Sequence, residues 1–231
     1  MNSKSIKQWY DQLYDKKFIS QTTLDYGSLQ ICRKILAYLH PISQGAFLDV
    51  ACGNGRFLHF VSSQTDLPTY GLDISNAVHK AKNLSNAQFL MASGQNIPFI
   101  AHSFHYVTIL GSLEHFLHPE QGLKEIHRVA TDNARICVLV PNKHYLFGAG
   151  TTQPHELLLS LSKWKRMIET CNFKVEAVLQ DNHPKYQINV FEDKNPVKAF
   201  WRVLKKVIWE VMPLQLTCQF IFIITKALLT V

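Results

Sequence analysis

Short, nearly unbroken apolar runs alternate along this chain with segments whose apolar residues recur every three or four positions. Residues 106–110 and 136–140 are almost wholly apolar, the pattern of strands buried on both faces. Runs of this kind predict strands at 46–50, 69–73, 87–91, 104–110, 134–140, 173–180 and 217–225. Two helices are expected first, at 4–18 and 27–39, the second with Leu29, Ile31, Cys32, Ile35, Leu36 and Leu39 at helical spacing. Further helices are expected near 55–63, 76–83, 119–130, 155–170 and 196–211. Alternation of strand and helix implies an α/β fold, a largely parallel sheet with helices on both faces. No internal repeat or low-complexity tract breaks the pattern.

The first strand carries the most chemistry. It ends in Asp49, and a turn of small residues follows (Ala51, Cys52, Gly53, Gly55) before a helix opens near Arg56. Such a turn lets a ligand approach the backbone and aims the first free helix N–H groups at it. It is not the phosphate-binding G-x-G-x-x-G, because the third glycine position is Leu58. A carboxylate at Asp49 suits an ammonium better than a pyrophosphate. The second strand also ends in an acid, Asp73, placed to bind ribose hydroxyls. An ammonium at one end and a ribose at the other describe S-adenosylmethionine better than a dinucleotide such as NAD.

With these residues in view, the chain resembles the class I S-adenosylmethionine-dependent methyltransferases, in the small-molecule group that includes ubiquinone- and menaquinone-biosynthesis enzymes. The likeness runs over roughly residues 40–180. It takes in 95–99 (Gln-Asn-Ile-Pro-Phe), 103–107 (Ser-Phe-His-Tyr-Val), 110–115 (Leu-Gly-Ser-Leu-Glu-His), 125–129 (Glu-Ile-His-Arg-Val), 133–142 ending in Pro-Asn, and the 154–175 segment. The resemblance implies a Rossmann-like, doubly wound sheet of seven strands, mostly parallel with the last antiparallel; the sequence alone gives the count. It implies one domain over 1–231: a helical cap at 1–40, a cofactor-binding core at 41–180, and an amphipathic helix with the final strand at 181–231. Three positions depart from the family pattern. Ala51 replaces the first motif glycine, a mild change if its φ is negative. Ser93 stands where an Asp commonly accepts from the adenine amino group, and His105 where Asp is common.

The resemblance assigns the cofactor to Asp49, Ala51, Cys52, Gly53, Gly55, Asp73, Ile74, Ser93, Gly94, Gln95, Gly111 and Ser112. Asp49 is expected at the methionine end, Asp73 at the ribose, Ser93 to Gln95 along the adenine, and Gly111 with Ser112 near the methionine moiety. S-adenosylhomocysteine is the expected product. His115 is the candidate base for a hydroxyl or amine acceptor, or else makes a structural hydrogen bond. Tyr10, Tyr14 and Tyr145 are candidate substrate contacts, with ordinary packing as the alternative. No metal is expected, because His102, His105, His115 and His118 lack ligand spacing.

Composition bounds the partners. The 231 residues include 24 Lys and Arg against 17 Asp and Glu, a net charge of +7. That balance favours anionic partners or serves solubility alone. Five cysteines without a C-x-x-C pair point to reduced thiols in a cytoplasmic protein rather than to zinc or disulfides. The N-terminus lacks the apolar core of a signal peptide, and the 220–225 run is too short for a membrane span. Residues 141–155 form a loop with two glycines and two prolines, either a substrate lid or a variable connection. In 194–211, Val197, Phe200, Trp201, Leu204, Ile208 and Val211 share one helical face, with Lys198, Arg202 and Lys205 on another and Lys206 and Trp209 beside them. Such a helix either packs in the core with a solvated basic face or lies on an anionic membrane. The leading function is methyl transfer from S-adenosylmethionine to a small apolar or amphiphilic acceptor. The alternatives are a nucleic-acid (RNA) methyltransferase and a non-catalytic module that binds the same cofactor.

Overall fold

The computed structural model describes residues 2–17, 26–42, 44–82, 86–145, 155–181 and 195–227. Helices α1 (Ser3–Lys17) and α2 (Tyr26–Leu39) precede an alternating series: β1 (Phe47–Val50), α3 (Arg56–Gln64), β2 (Thr69–Asp73), α4 (Ala77–Ala81) and β3 (Gln88–Met91). Then come β4 (Phe104–Leu110), α5 (Pro119–Val129), β5 (Ala130–Pro141), α6 (Leu161–Thr170), β6 (Phe173–Asp181), α7 (Pro196–Val211) and β7 (Gln219–Lys226). The seven strands form one sheet in the order β3-β2-β1-β4-β5-β7-β6. Pairing is parallel from β3 to β5, and β7 runs antiparallel to both of its neighbours.

The pleat divides the core. Alternate residues of β1, β5 and β7 point to opposite faces. On one face Leu48, Val50, Ile136, Val138, Phe220 and Phe222 pack with Leu123 and Ile126 of α5 and Trp164 and Ile168 of α6. On the other, Phe47, Cys137, Leu139, Ile221 and Ile223 meet Ile35 and Leu39 of α2 and Leu58 and Val61 of α3. Apolar area removed from water on both faces, at about 25 cal/mol per Å², is the main stabilising term. Trp164 adds a direct tie, its indole N–H donating to Pro141 O at 2.9 Å in the interior.

Two boundaries differ from the sequence reading by more than two residues. The helix expected at 155–170 begins at Leu161. Residues ahead of it spend their backbone groups elsewhere: Leu157 N–H donates to Glu114 O at 2.9 Å, and Lys143 N–H to Leu159 O at 3.1 Å. Tertiary pairing holds this segment outside the helix. Strand β5 starts at Ala130, directly off α5, rather than at 134.

The β1–β4 pair is where the winding of the sheet reverses, since β2 and β3 lie to one side of β1 and β4 and β5 to the other. A crevice opens at the carboxyl ends of strands at such a point.

Candidate functional site

That crevice holds a cavity of about 390 Å³, inside the range of about 300–1,000 Å³ usual for small-molecule sites. Asp49 and the 51–54 turn form its floor after β1, Asp73 and Ile74 flank it after β2, and Ala92 to Gln95 after β3. Leu110 to Ser112 line it after β4, with His115, Phe116 and Leu117 beyond. Helix α1 closes it from above with Ile6, Tyr10, Leu13 and Tyr14. Of the sequence-derived cofactor positions, Gly55 is the one that does not line the cavity. It sits in the left-handed region (φ +73°) at the start of α3, and a Cβ there would meet the Phe89 ring and Ala81. Its reason is therefore the turn and the close packing behind it.

The turn is strained at one point. Ala51 has φ +57°. The expectation that alanine would be mild there required a negative φ, and the structure corrects it. A Cβ in the left-handed region costs about 1–2 kcal/mol. Gly53 (φ +55°) lies directly under Tyr14, whose hydroxyl stands where a Cβ would go.

Two buried carboxylates flank this turn. Asp49 accepts a hydrogen bond from Thr108 Oγ1 at 2.6 Å. Burial, with Asp73 nearby, raises its pKa to about 7 against the pull of Thr108. Asp73 accepts from Gly53 N–H at 2.8 Å and, through its other oxygen, from Ser75 N–H at 2.8 Å and Ser75 Oγ at 2.7 Å. Desolvation still raises its pKa despite those bonds. Buried carboxylates with raised pKa values favour a cation, which would restore their ionised form. Burial and the same acids push the Cys52 thiol up, so it is no nucleophile at neutral pH.

Helix α5 braces the β3 side. Arg128 donates to Phe99 O at 2.7 Å and Ile97 O at 2.8 Å while pairing with Glu125, whose Oε2 accepts from Ile97 N–H at 2.7 Å. Gln95 Oε1 accepts from His118 N–H at 2.6 Å. Ser93 Oγ accepts from Gln95 N–H at 3.2 Å, so the loop after β3 is fixed by side chains on both sides. The Phe116 ring packs where Cβ atoms on Gly94 and Gly122 would lie. Sequence reading missed Phe116; the two small residues facing it were its only trace.

At the far end, His115 is buried, with Nε2 3.8 Å from Glu114 Oε1. Burial raises Glu114 to a pKa of about 8. Tyr10 meets the His115 ring edge-on at 6.0 Å and stacks with Tyr14 at 6.4 Å. Tyr145, the third candidate tyrosine, is not part of this lining; its N–H donates to Asn142 O at 3.3 Å in the turn after β5. Most of the proposed 141–155 lid lies outside the described residues. Among the described residues, no group of three His, Cys, Asp or Glu side chains could hold a metal ion.

These residues fit S-adenosylmethionine in charge and space: a buried acid pair for a cation and ribose hydroxyls, and a turn whose backbone is open to close approach. Known proteins agree. Residues 48–138 match the model of a methyltransferase domain. A demethylmenaquinone methyltransferase of Porphyromonas gingivalis is 29% identical over 46% of this chain and 48% of its own length. The chain spans about half the length of the curated relatives it matches first. In fold it is similar to the [4+2]-cyclase SpnF (TM-score 0.74, 15% identity, 98% of this chain and 97% of that one). It is also similar to geranyl diphosphate C-methyltransferase from Streptomyces coelicolor in complex with Mg2+, geranyl diphosphate and S-adenosyl-L-homocysteine (TM-score 0.68, 9% identity, 98% and 97% covered). At such identities the likeness is of fold, and a fold does not fix a reaction. Domain match, sheet order and acid-flanked turn together make the chain similar to the class I S-adenosylmethionine-dependent methyltransferases.

Proposed function

We propose that this protein transfers a methyl group from S-adenosylmethionine to a small apolar or amphiphilic acceptor. The observation that carries the reading is the pair of buried acids, Asp49 and Asp73, on either side of the 51–54 turn at the switch point of the sheet. When bound, the cofactor supplies an activated methyl group with a neutral leaving group, so the protein's task is mainly placement. Asp73 would hold the ribose, Asp49 the cationic methionine end, and Ser93 to Gln95 the adenine. Tyr10, Leu13 and Tyr14 exclude water from above. His115 stands at the acceptor end, where its imidazole can take a proton from a hydroxyl or amine. Glu114 Oε1 lies 3.8 Å from that ring, and its carboxyl is held largely protonated at neutral pH by burial. The apolar and aromatic residues that α1 brings to the lining, Ile6, Tyr10 and Leu13, support an apolar acceptor. So do the demethylmenaquinone and geranyl diphosphate methyltransferases among similar proteins.

The test is label transfer from methyl-labelled S-adenosylmethionine to quinols, isoprenoid diphosphates and RNA. Label in an organic-soluble product supports the reading; label in RNA alone overturns it. His115→Ala is expected to lower turnover about 10²–10⁴-fold on a protic acceptor while leaving cofactor affinity unchanged.

A further inference from the structure

We propose that α7 is a membrane-docking helix, which seats its apolar face in an anionic bilayer surface. Positions 197, 200, 201, 204, 207, 208 and 211 fall on one side of this helix at 3.6 residues per turn. In a helix that covers a sheet this side is the buried one: Leu123, Ile126 and Val129 of α5 are each 0% exposed. In α7 the same side faces outward. Phe200 is 63% exposed, Trp201 56%, Val197 62% and Val211 75%, with Val203 and Val207 also exposed. Leu204 and Ile208 are half-buried. Of the two readings of this helix, core packing is not met for the described apolar side chains, while Lys198 stays in water.

The charges say what covers this face. Lys198 is exposed and Arg202 half-buried on the polar side of the helix, and the helix sequence adds Lys205 and Lys206 against a lone acid, Glu210. An aromatic, apolar face backed by a polar face rich in Lys and Arg is the pattern of a helix that lies in a membrane interface. A bilayer of anionic lipid satisfies both features at once: acyl chains for the aromatic and valine side chains, headgroups for the cations. Trp201 and Phe200, in edge-on contact at 6.0 Å, are residue types suited to that boundary.

Topology gives the helix a place. The chain leaves β6 at Asp181 and re-enters β7 at Gln219, two residues paired across the sheet. Strand β6 is parallel to β1, because both β5 and β6 run antiparallel to β7. Helix α7 therefore hangs from the carboxyl edge of the sheet, the edge that bears the cavity. Docking through α7 would present that edge to the bilayer and supply an amphiphilic acceptor from it. This last step rests on the methyl-transfer reading; the docking itself does not.

Sedimentation of the full chain with phosphatidylcholine vesicles, with and without phosphatidylglycerol, tests the proposal. Binding should rise at least about tenfold with the anionic lipid and weaken with salt. The double variant Phe200→Glu/Trp201→Glu should lose it by a similar factor, and Lys198→Glu should weaken it on anionic vesicles alone. Thermal shift with S-adenosylhomocysteine, measured on each variant, reports folding and the cofactor site separately. A folded protein that ignores anionic vesicles would overturn the proposal, whether or not it binds cofactor. So would vesicle binding that survives the double variant, or a stable dimer in sedimentation velocity that the double variant dissociates.

Discussion

Ala51 is the residue at which this site departs most from ease. It holds φ +57° between the strand and the turn. Ala51→Gly is expected to raise stability by about 1 kcal/mol, the relief of the left-handed Cβ less the added freedom of the unfolded chain. Urea denaturation measures it, and an unchanged or lower midpoint would refute the strain. Asp49 sets a pH dependence. Its pKa rises from 3.8 to about 7 on folding. A group raised on folding contributes stability that is complete below its unfolded pKa and is lost as pH climbs through the folded value. The unliganded protein should therefore melt lower across that window, from about pH 4 to pH 7. A cationic ligand favours the ionised carboxylate, so the thermal shift given by S-adenosylmethionine should grow as pH rises through 7. A shift independent of pH would mean that Asp49 does not face the ligand's charge. Asp49, Gly53 and Asp73 were legible in sequence because strand ends and a small-residue turn fix their neighbourhood locally. The contact of Tyr10 with His115 was not, because it joins residues 105 positions apart in sequence.

Helix α1 is the element whose role most needed the structure. A cap at 1–40, with Tyr10 and Tyr14 as candidate substrate contacts, was expected, but not what holds it in place. It lies over the cavity, tied to α4 and its N-cap by polar contacts: Asp11 Oδ1 accepts from Asn76 N–H at 2.6 Å, Lys7 reaches Asn76 at 3.3 Å, and Lys80 pairs with Asp15 at 2.6 Å. Surface pairs of this kind contribute about 0–1 kcal/mol each, so α1 is attached by contacts that can open. A lifting of α1 would widen access to the cavity. Asp11→Ala is expected to speed hydrogen exchange over residues 3–17 and to accelerate release of S-adenosylhomocysteine. Exchange in α1 that is insensitive to bound S-adenosylhomocysteine would contradict a lid. Helix α5 acts in the opposite sense, as a brace. Arg128→Ala removes both carbonyl contacts to the 97–99 segment, and a cost of about 1–3 kcal/mol in stability is expected for the groups left unpaired. The 125–129 pattern was visible in sequence, but its reason lies in bonds to a segment about thirty residues upstream.

At the scale of the molecule, strand count and alternation were readable because buried parallel strands are continuous apolar runs. The strand order was not, because the period of a strand says nothing of its neighbour. The antiparallel run of the last strand came from the resemblance and stands in the structure, whereas its place between β5 and β6 was learned from the structure. Helix α7 shows the limit of pattern reading: an apolar face looks the same in sequence whether it meets a core or lies open. Everything said of function converges on one cavity, framed by the ends of four strands and roofed by α1. Calorimetric titration of that cavity with S-adenosylmethionine, S-adenosylhomocysteine and NAD tests the account most directly, on the unaltered chain and on Asp73→Ala. The account predicts heat of binding with the first two and none with NAD. It also predicts a loss of about 1.5–3 kcal/mol in the folded variant for each charged hydrogen bond removed. No binding of either S-adenosyl compound, or equal affinity in Asp73→Ala, would contradict it.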